Sequence, residues 1–220
     1  MARNRTAELG SVVLNGSMFI TFEGGEGAGK STQIQRLAAR ILQDFPESNP
    51  LITREPGDGP LGPQLRSIIL DKKDGDVIPE RAELLIMLAD RAQHVECVIE
   101  PALKAGRIVL CDRYADSSVA YQGYARQLDP VQIARLNTFA TGGLIPDHTF
   151  LLDIDPAIGL ARQATKTSME REPTAFHNRV RDGFLRLSTQ EPDRFTVVDA
   201  SQDPDEIAEQ IWGAVQTWIA

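Results

Sequence analysis

The segment Gly24-Gly25-Glu26-Gly27-Ala28-Gly29-Lys30-Ser31 constrains this chain more than any other. It fits G-x-x-x-x-G-K-[ST] and stands between an apolar run that reads as a strand, Met18–Glu23, and a helical period marked by Ile34, Leu37, Ala38, Ile41, Leu42 and Phe45. That strand–loop–helix context separates a phosphate-binding loop from an ordinary glycine-rich turn. Glycines let successive backbone N–H groups turn inward around phosphate oxygens, and the following helix adds the positive end of its dipole. Residues 24–32 are therefore expected to bind the nucleoside triphosphate: Gly24, Gly25, Glu26, Gly27, Ala28, Gly29, Lys30, Ser31 and Thr32. Lys30 would reach the β- and γ-phosphates, and the Ser31 hydroxyl would ligate Mg2+.

Short apolar runs alternate with helical periods along the rest of the chain. Pro50–Arg54, Arg107–Asp112, His148–Asp153 and Phe195–Asp199 read as four more strands, continuous in apolar character as when helices cover both sheet faces. Leu84, Leu88, Ala92, Val95 and Ile99 mark a long helix after Pro79, and Asp203-Pro204 caps a final helix carrying Ile207, Ile211, Ala214, Val215 and Trp218. The alternation predicts an α/β protein, a three-layer P-loop NTPase fold whose five-stranded parallel sheet has helices on both faces and a short lid. Ile108–Asp112 ends in a carboxylate, as a Walker B strand does, so Asp112 joins Ser31 as an expected Mg2+ ligand.

Composition narrows the partners. A net charge of −8 argues against a broad nucleic-acid surface, yet 18 of the 23 basic residues are arginine, which grips small anions bidentately. That points to a phosphorylated metabolite. No apolar run suits a membrane span, and residues 1–17 read as a loosely ordered extension, not a secretion signal, ahead of one domain over 18–220. Cys97 and Cys111 are too few for a disulfide framework and lack metal spacing, which fits a reducing cytoplasm. His94, His148 and His177 share no metal spacing and read as structural or surface residues; Asp153 and Asp155, beside Pro156, read as a helix start.

Three segments decide what kind of P-loop protein this is. Thr53-Arg54-Glu55-Pro56-Gly57, Leu88-Ala89-Asp90-Arg91 and Asp112-Arg113-Tyr114-Ala115-Asp116-Ser117-Ser118-Val119-Ala120-Tyr121-Gln122-Gly123 resemble thymidylate kinase, and the P-loop with Glu26 and Ala28 resembles its bacterial type. The resemblance runs from about Met18 to the C-terminus. It implies phosphoryl transfer from MgATP to thymidine monophosphate in a cytoplasmic homodimer. It places Arg54 and Arg113 on the acceptor phosphate, Arg91 on the thymine ring and Tyr121 against the deoxyribose. Glu26 would face the sugar or the magnesium-bound waters, and Gln122 would help orient the acceptor beside Ser117 and Ser118. Arg54 and Arg113 directly follow strand ends, where open α/β sheets bind ligands. Alternatives are a P-loop phosphotransferase for another nucleotide or a nucleoside, and a nucleotide-binding switch without catalysis.

Two features depart from the family pattern. The expected lid, about residues 163–173, is a few residues short and lacks a clear Asp-Arg pair, leaving Arg162, Lys166 and Arg171 as candidates to reach the transferring phosphoryl. Met87 stands where similar proteins place a phenylalanine stacked on the base. Methionine keeps apolar contact but loses ring stacking, at a cost of about 1 kcal/mol.

Overall fold

The computed structural model describes residues 16–71, 77–163 and 167–219. The extension before Gly16, and Lys166 among the lid candidates, lie outside the described residues.

Each apolar run becomes a strand: β1 Met18–Glu23, β2 Leu51–Arg54, β3 Ile108–Asp112, β4 His148–Asp153 and β5 Phe195–Asp199. Pro50 and Arg107 fall just outside their expected strands. The order is β2-β3-β1-β4-β5 with every pairing parallel, and β1 lies between β3 (Thr21 opposite Cys111) and β4 (Thr21 opposite Thr149). The chain goes to one side of β1 to make β2 and β3, then crosses it to make β4. That reversal opens a crevice at the carboxyl end of β1, where the P-loop emerges.

The helices are α1 Lys30–Asp44, α2 Gly62–Leu70, α3 Glu80–His94, α4 Glu100–Lys104, α5 Ala115–Ser118, α6 Pro130–Ala140, α7 Pro156–Ala161, α8 Thr174–Gln190 and α9 Pro204–Ile219. Side chains of period two divide the sheet between two layers. Ile20, Phe22, Leu110, Phe150 and Leu152 pack with Ile34, Leu37 and Ile41 of α1 and Ile207, Ile211 and Val215 of α9. On the opposite face Phe19, Val109 and Cys111 meet Val95, Ile99 and Tyr114, while Leu151 joins the core made with α3, α6 and α8. Leu42, expected on the buried stripe of α1, is 46% exposed.

The long helix expected after Pro79 is not uniform. A π turn, Val95–Ile99, joins α3 to α4, and a second, Val119–Ala125, extends α5. Such widened turns concentrate at functional sites, and the second carries Tyr121 and Gln122. Asp155 caps α7 by accepting from the Ala157 N–H at 2.8 Å, and Asp203 caps α9 through Asp205 N–H at 2.8 Å. Asp153 starts no helix; its carboxylate takes a bidentate pair from Arg181 at 2.7 and 2.8 Å.

Candidate active site

Two cavities meet at the carboxyl end of β1. The wider, about 1570 Å3 with solvent at its mouth, runs from the P-loop and Asp112 past Arg54 and Arg66 to Arg162, Ala200 and Gln202. The narrower, about 670 Å3, is floored by Met87, Arg91, Tyr121 and Gln122 and roofed by Thr167, Met169 and Glu170. Glu26, Glu55, Arg66, Arg113 and Glu170 line both.

The P-loop backbone is pinned from below. Gly27 and Gly159 of α7 approach so closely that a Cβ on either would overlap the other strand's backbone: Gly27's with the Gly159 carbonyl, Gly159's with that of Glu26. Nothing in the sequence around Gly159 marks this contact, because the two glycines meet only in the fold. Gly159→Ala is expected to push the loop out of register, raising the ATP KM at least about tenfold and costing about 1–3 kcal/mol of stability; an ATP titration and thermal melt check both.

At the loop's exit Lys30 is buried, its Nζ donating to the carbonyls of Gly24 at 3.2 Å and Gly25 at 2.9 Å. Burial, then the neighbouring Arg113, lowers its pKa. Ser31 Oγ donates to Asp112 Oδ2 at 2.8 Å, bringing the two expected metal ligands together. Among the described residues no three His, Cys, Asp or Glu side chains form a metal cage. Paired hydroxyl and carboxylate oxygens suit Mg2+, which takes few protein ligands and completes its shell with phosphate and water.

Arg113 lies at the junction. Its backbone sits at φ 70°, and its guanidinium donates to Gly24 O at 3.0 Å, to Glu26 Oε1 at 2.8 Å and to Ser117 Oγ at 3.4 Å. It also lies over the Tyr121 ring, 5.0 Å from its centre, while the Tyr121 hydroxyl donates to Glu26 Oε1 at 2.7 Å. Burial alone would raise the Glu26 carboxyl; Arg113, then Lys30 and the Tyr121 hydroxyl, outweigh it and hold the pKa at about 2. Ser117 Oγ in turn donates to Glu23 Oε2 at 2.6 Å. Glu23, on β1, is raised to about 7, by burial first and Asp116 second, and also accepts from Tyr114 N–H at 2.8 Å.

Arg91 is buried and nearly saturated. Its Nε donates to Glu55 at 2.8 Å, Nη1 to Ser118 at 2.9 Å and Asn137 at 2.6 Å, and Nη2 to Tyr114 O at 2.9 Å. These bonds use four of its five guanidinium N–H groups, and Arg91 lines the narrow cavity. His94 Nδ1 holds the other Glu55 oxygen at 2.9 Å, so that histidine braces the loop after β2. Gln122 is buried with Nε2 on Glu83 at 2.9 Å and its Oε1 without a partner.

Arg54 is more exposed, beside Asp58, and lines only the wide cavity; Thr32 lines it too. Arg66, which no motif marked, lines both cavities and donates to Pro56 O at 2.6 Å. Of the described lid candidates, Arg162 lines the wide cavity and donates to Gly27 O and Ala200 O, each at 3.3 Å. Arg171 is exposed and lines neither.

The chain was compared with known proteins. The thymidylate kinase family model matches residues 22–211. A thymidylate kinase of Solidesulfovibrio magneticus is 49% identical over 208 residues, spanning 90% of this chain and 98% of the relative. One of a Synechococcus strain is 48% identical over 199 residues, spanning 90% and 94%. The crystal structure of the Ehrlichia chaffeensis thymidylate kinase superposes with a TM-score of 0.75 at 34% identity, covering 92% of this chain and 99% of that one.

Proposed function

This chain belongs to the thymidylate kinase family, and from that premise we propose how its own residues carry out the family's reaction. The enzyme transfers the γ-phosphoryl group of ATP to thymidine monophosphate, giving thymidine diphosphate and ADP for dTTP synthesis. The carrying observation is Arg113, whose guanidinium faces both cavities while paired with Glu26 of the P-loop.

The wide cavity takes ATP, with its phosphates in the P-loop and adenine toward Ala200 and Gln202. The narrow cavity takes the acceptor, its base between Met87, Arg91 and Gln122, its sugar against Tyr121 and Glu26, and its phosphate toward Arg113. The acceptor's phosphate oxygen is itself the nucleophile, so the protein need supply none. Its task is to hold two anions together, a repulsion of about 4 kcal/mol at 4 Å and an effective dielectric near 20. Lys30, Arg54, Arg66, Arg113 and Arg162 offset that charge, and alignment supplies much of the remaining acceleration. Ser31 and Asp112 would hold Mg2+, which neutralises charge on the transferring phosphates.

The base end explains selectivity. Gln122 and Arg91 line the narrow cavity, so the unpartnered Gln122 Oε1 would accept from a thymine N3–H and the last Arg91 N–H would donate to a ring carbonyl. The Tyr121–Glu26 bond holds both side chains where they would disfavour a ribose 2′-hydroxyl on the acceptor. Met87→Phe is expected to tighten thymidine monophosphate about fivefold by restoring ring stacking; calorimetric titration checks this, and unchanged affinity would sink it. Leu61, Ile68 and Leu85, each more than half exposed on or beside α2 and α3, support a homodimer. The free thiols of Cys97 and Cys111 fit a reducing cytoplasm.

The test is ADP release with MgATP and each nucleoside monophosphate in turn. Strongest stimulation by thymidine monophosphate supports the reading. Stimulation by another base moves specificity to Met87 and Gln122, and ATP binding without any acceptor-dependent turnover overturns it.

A further inference from the structure

Gln122 can read a base only if its amide faces one way, and a buried amide has no intrinsic preference. The cause of its orientation lies one residue further out. Glu83, 1% exposed on α3, accepts from Gln122 Nε2 at 2.9 Å and Arg126 Nε at 3.3 Å on Oε1, and from Arg126 Nη2 at 3.2 Å on Oε2. A guanidinium only donates. Both Glu83 oxygens therefore act as acceptors, so the group meeting them must be the NH2 end of Gln122. Its Oε1 is then left without a protein partner, on a residue that lines the narrow cavity.

Arg126 is itself held from the far side. Its Nη2 reaches Glu172 at 2.7 Å, its guanidinium lies over Phe176 at 4.6 Å, and it approaches Met169 Sδ at 3.7 Å. Met169 roofs the same cavity. The donor–acceptor order thus runs from the roof segment through Arg126 and Glu83 to the base-facing oxygen.

We propose that Glu83 and Arg126 are positioning residues that fix the sense of the Gln122 amide and so restrict the acceptor to bases bearing N–H at ring position 3. Thymine has that hydrogen. Cytosine presents a lone pair there, which would face the Gln122 oxygen acceptor to acceptor. The inference rests on the acceptor site assigned above.

The test compares kcat/KM for thymidine monophosphate and 5-methyldeoxycytidine monophosphate, which differ only at ring positions 3 and 4. In Glu83→Gln, residue 83 can turn either end of a neutral amide toward Gln122, and Gln122 can turn with it. The preference for thymidine should fall about tenfold, the size of one relieved buried mismatch, with the ATP KM unchanged. Arg126→Gln should act in the same direction, because it removes the guanidinium that meets both Glu83 oxygens and sets the carboxylate's orientation toward Gln122. Arg126→Lys keeps a cationic donor and should restore most of the preference. If Glu83→Gln does not fold, the two partly exposed Arg126 variants decide. Equal losses on both nucleotides, with the ratio unmoved, would show a structural role alone and overturn the inference. A wild-type enzyme indifferent to the two nucleotides would overturn the acceptor assignment and the inference with it.

Discussion

Lys30→Ala is expected to lower kcat for thymidine diphosphate formation by at least about 10^3-fold while leaving a folded protein that binds thymidine monophosphate as before. The two halves of that expectation come from different observations. Lys30 is the buried cation at the exit of the P-loop, and in the structure its ammonium rests on the carbonyls of Gly24 and Gly25. These are weak neutral acceptors for a charge that burial already disfavours. A phosphate oxygen is a far better partner, so the contact is one the lysine can exchange when nucleotide arrives. Removing a group aimed at charge developing in the transition state costs about 10^2–10^3 in kcat for a single donor, and a full positive charge in a dry site exceeds a neutral donor.

Stability should move little, because the substitution also removes the cost of burying that ammonium. Acceptor affinity should hold because Lys30 does not line the narrow cavity. Steady-state kinetics beside calorimetric titration with thymidine monophosphate separates the two effects. A variant within tenfold of wild type in kcat would refute the assigned triphosphate site.

Much of this site was readable before any coordinates. The P-loop spacing, the apolar strands and the carboxylate ending β3 are local patterns, and local patterns survive in a linear string. Glu26 to Thr32, Asp112 and Arg113 line the wide cavity, and Arg54, Met87, Arg91, Ser117, Ser118, Tyr121 and Gln122 line one or other cavity. What stayed hidden depends on contacts between distant segments. Gly159 matters because it touches a loop more than a hundred residues earlier. Arg66 reads as an ordinary helix arginine until α2 brings it to the mouth of both cavities. Glu83 sits at a position that the helical period of α3 marks only as a neighbour of Leu84, and its burial follows from Arg126 and Gln122 on another element. The lid was the least readable part. Charge content alone could not separate Arg162, which reaches the P-loop, from Arg171, which faces solvent.

Arg113→Lys should reduce kcat/KM for thymidine monophosphate by about 10^3-fold, although it preserves the charge. The backbone at this position is the first reason to expect a role for the side chain. A φ of 70° is the left-handed region, where a non-glycine residue costs of order 1 kcal/mol, so glycine would be easier to fold there. What arginine supplies is a planar fork that meets Gly24 O and Glu26 Oε1 together while its face lies on Tyr121. Lysine can satisfy one of those partners but not the set, and it cannot then offer a second edge to the acceptor phosphate. Two losses follow: bidentate capture of the acceptor, and the fixed placement of Glu26 and Tyr121 around the sugar. Each costs hydrogen bonds to charged groups, worth about 10^1–10^2, and because they share one guanidinium they fall together. The ATP KM should change much less, since the P-loop and Lys30 still hold the triphosphate. Arg113→Ala is expected to go further and lower the melting temperature. It removes the largest of the charges that hold the Glu26 carboxyl at about 2 against its burial, leaving an acid whose pKa climbs and whose contribution to stability, present above the unfolded pKa in the wild type, is lost. Measuring both variants separates geometry from charge. If lysine restores most of the kcat/KM that alanine loses, charge alone is enough and the fork has no special role; if lysine is nearly as poor as alanine, the acceptor phosphate is read by the shape of the guanidinium.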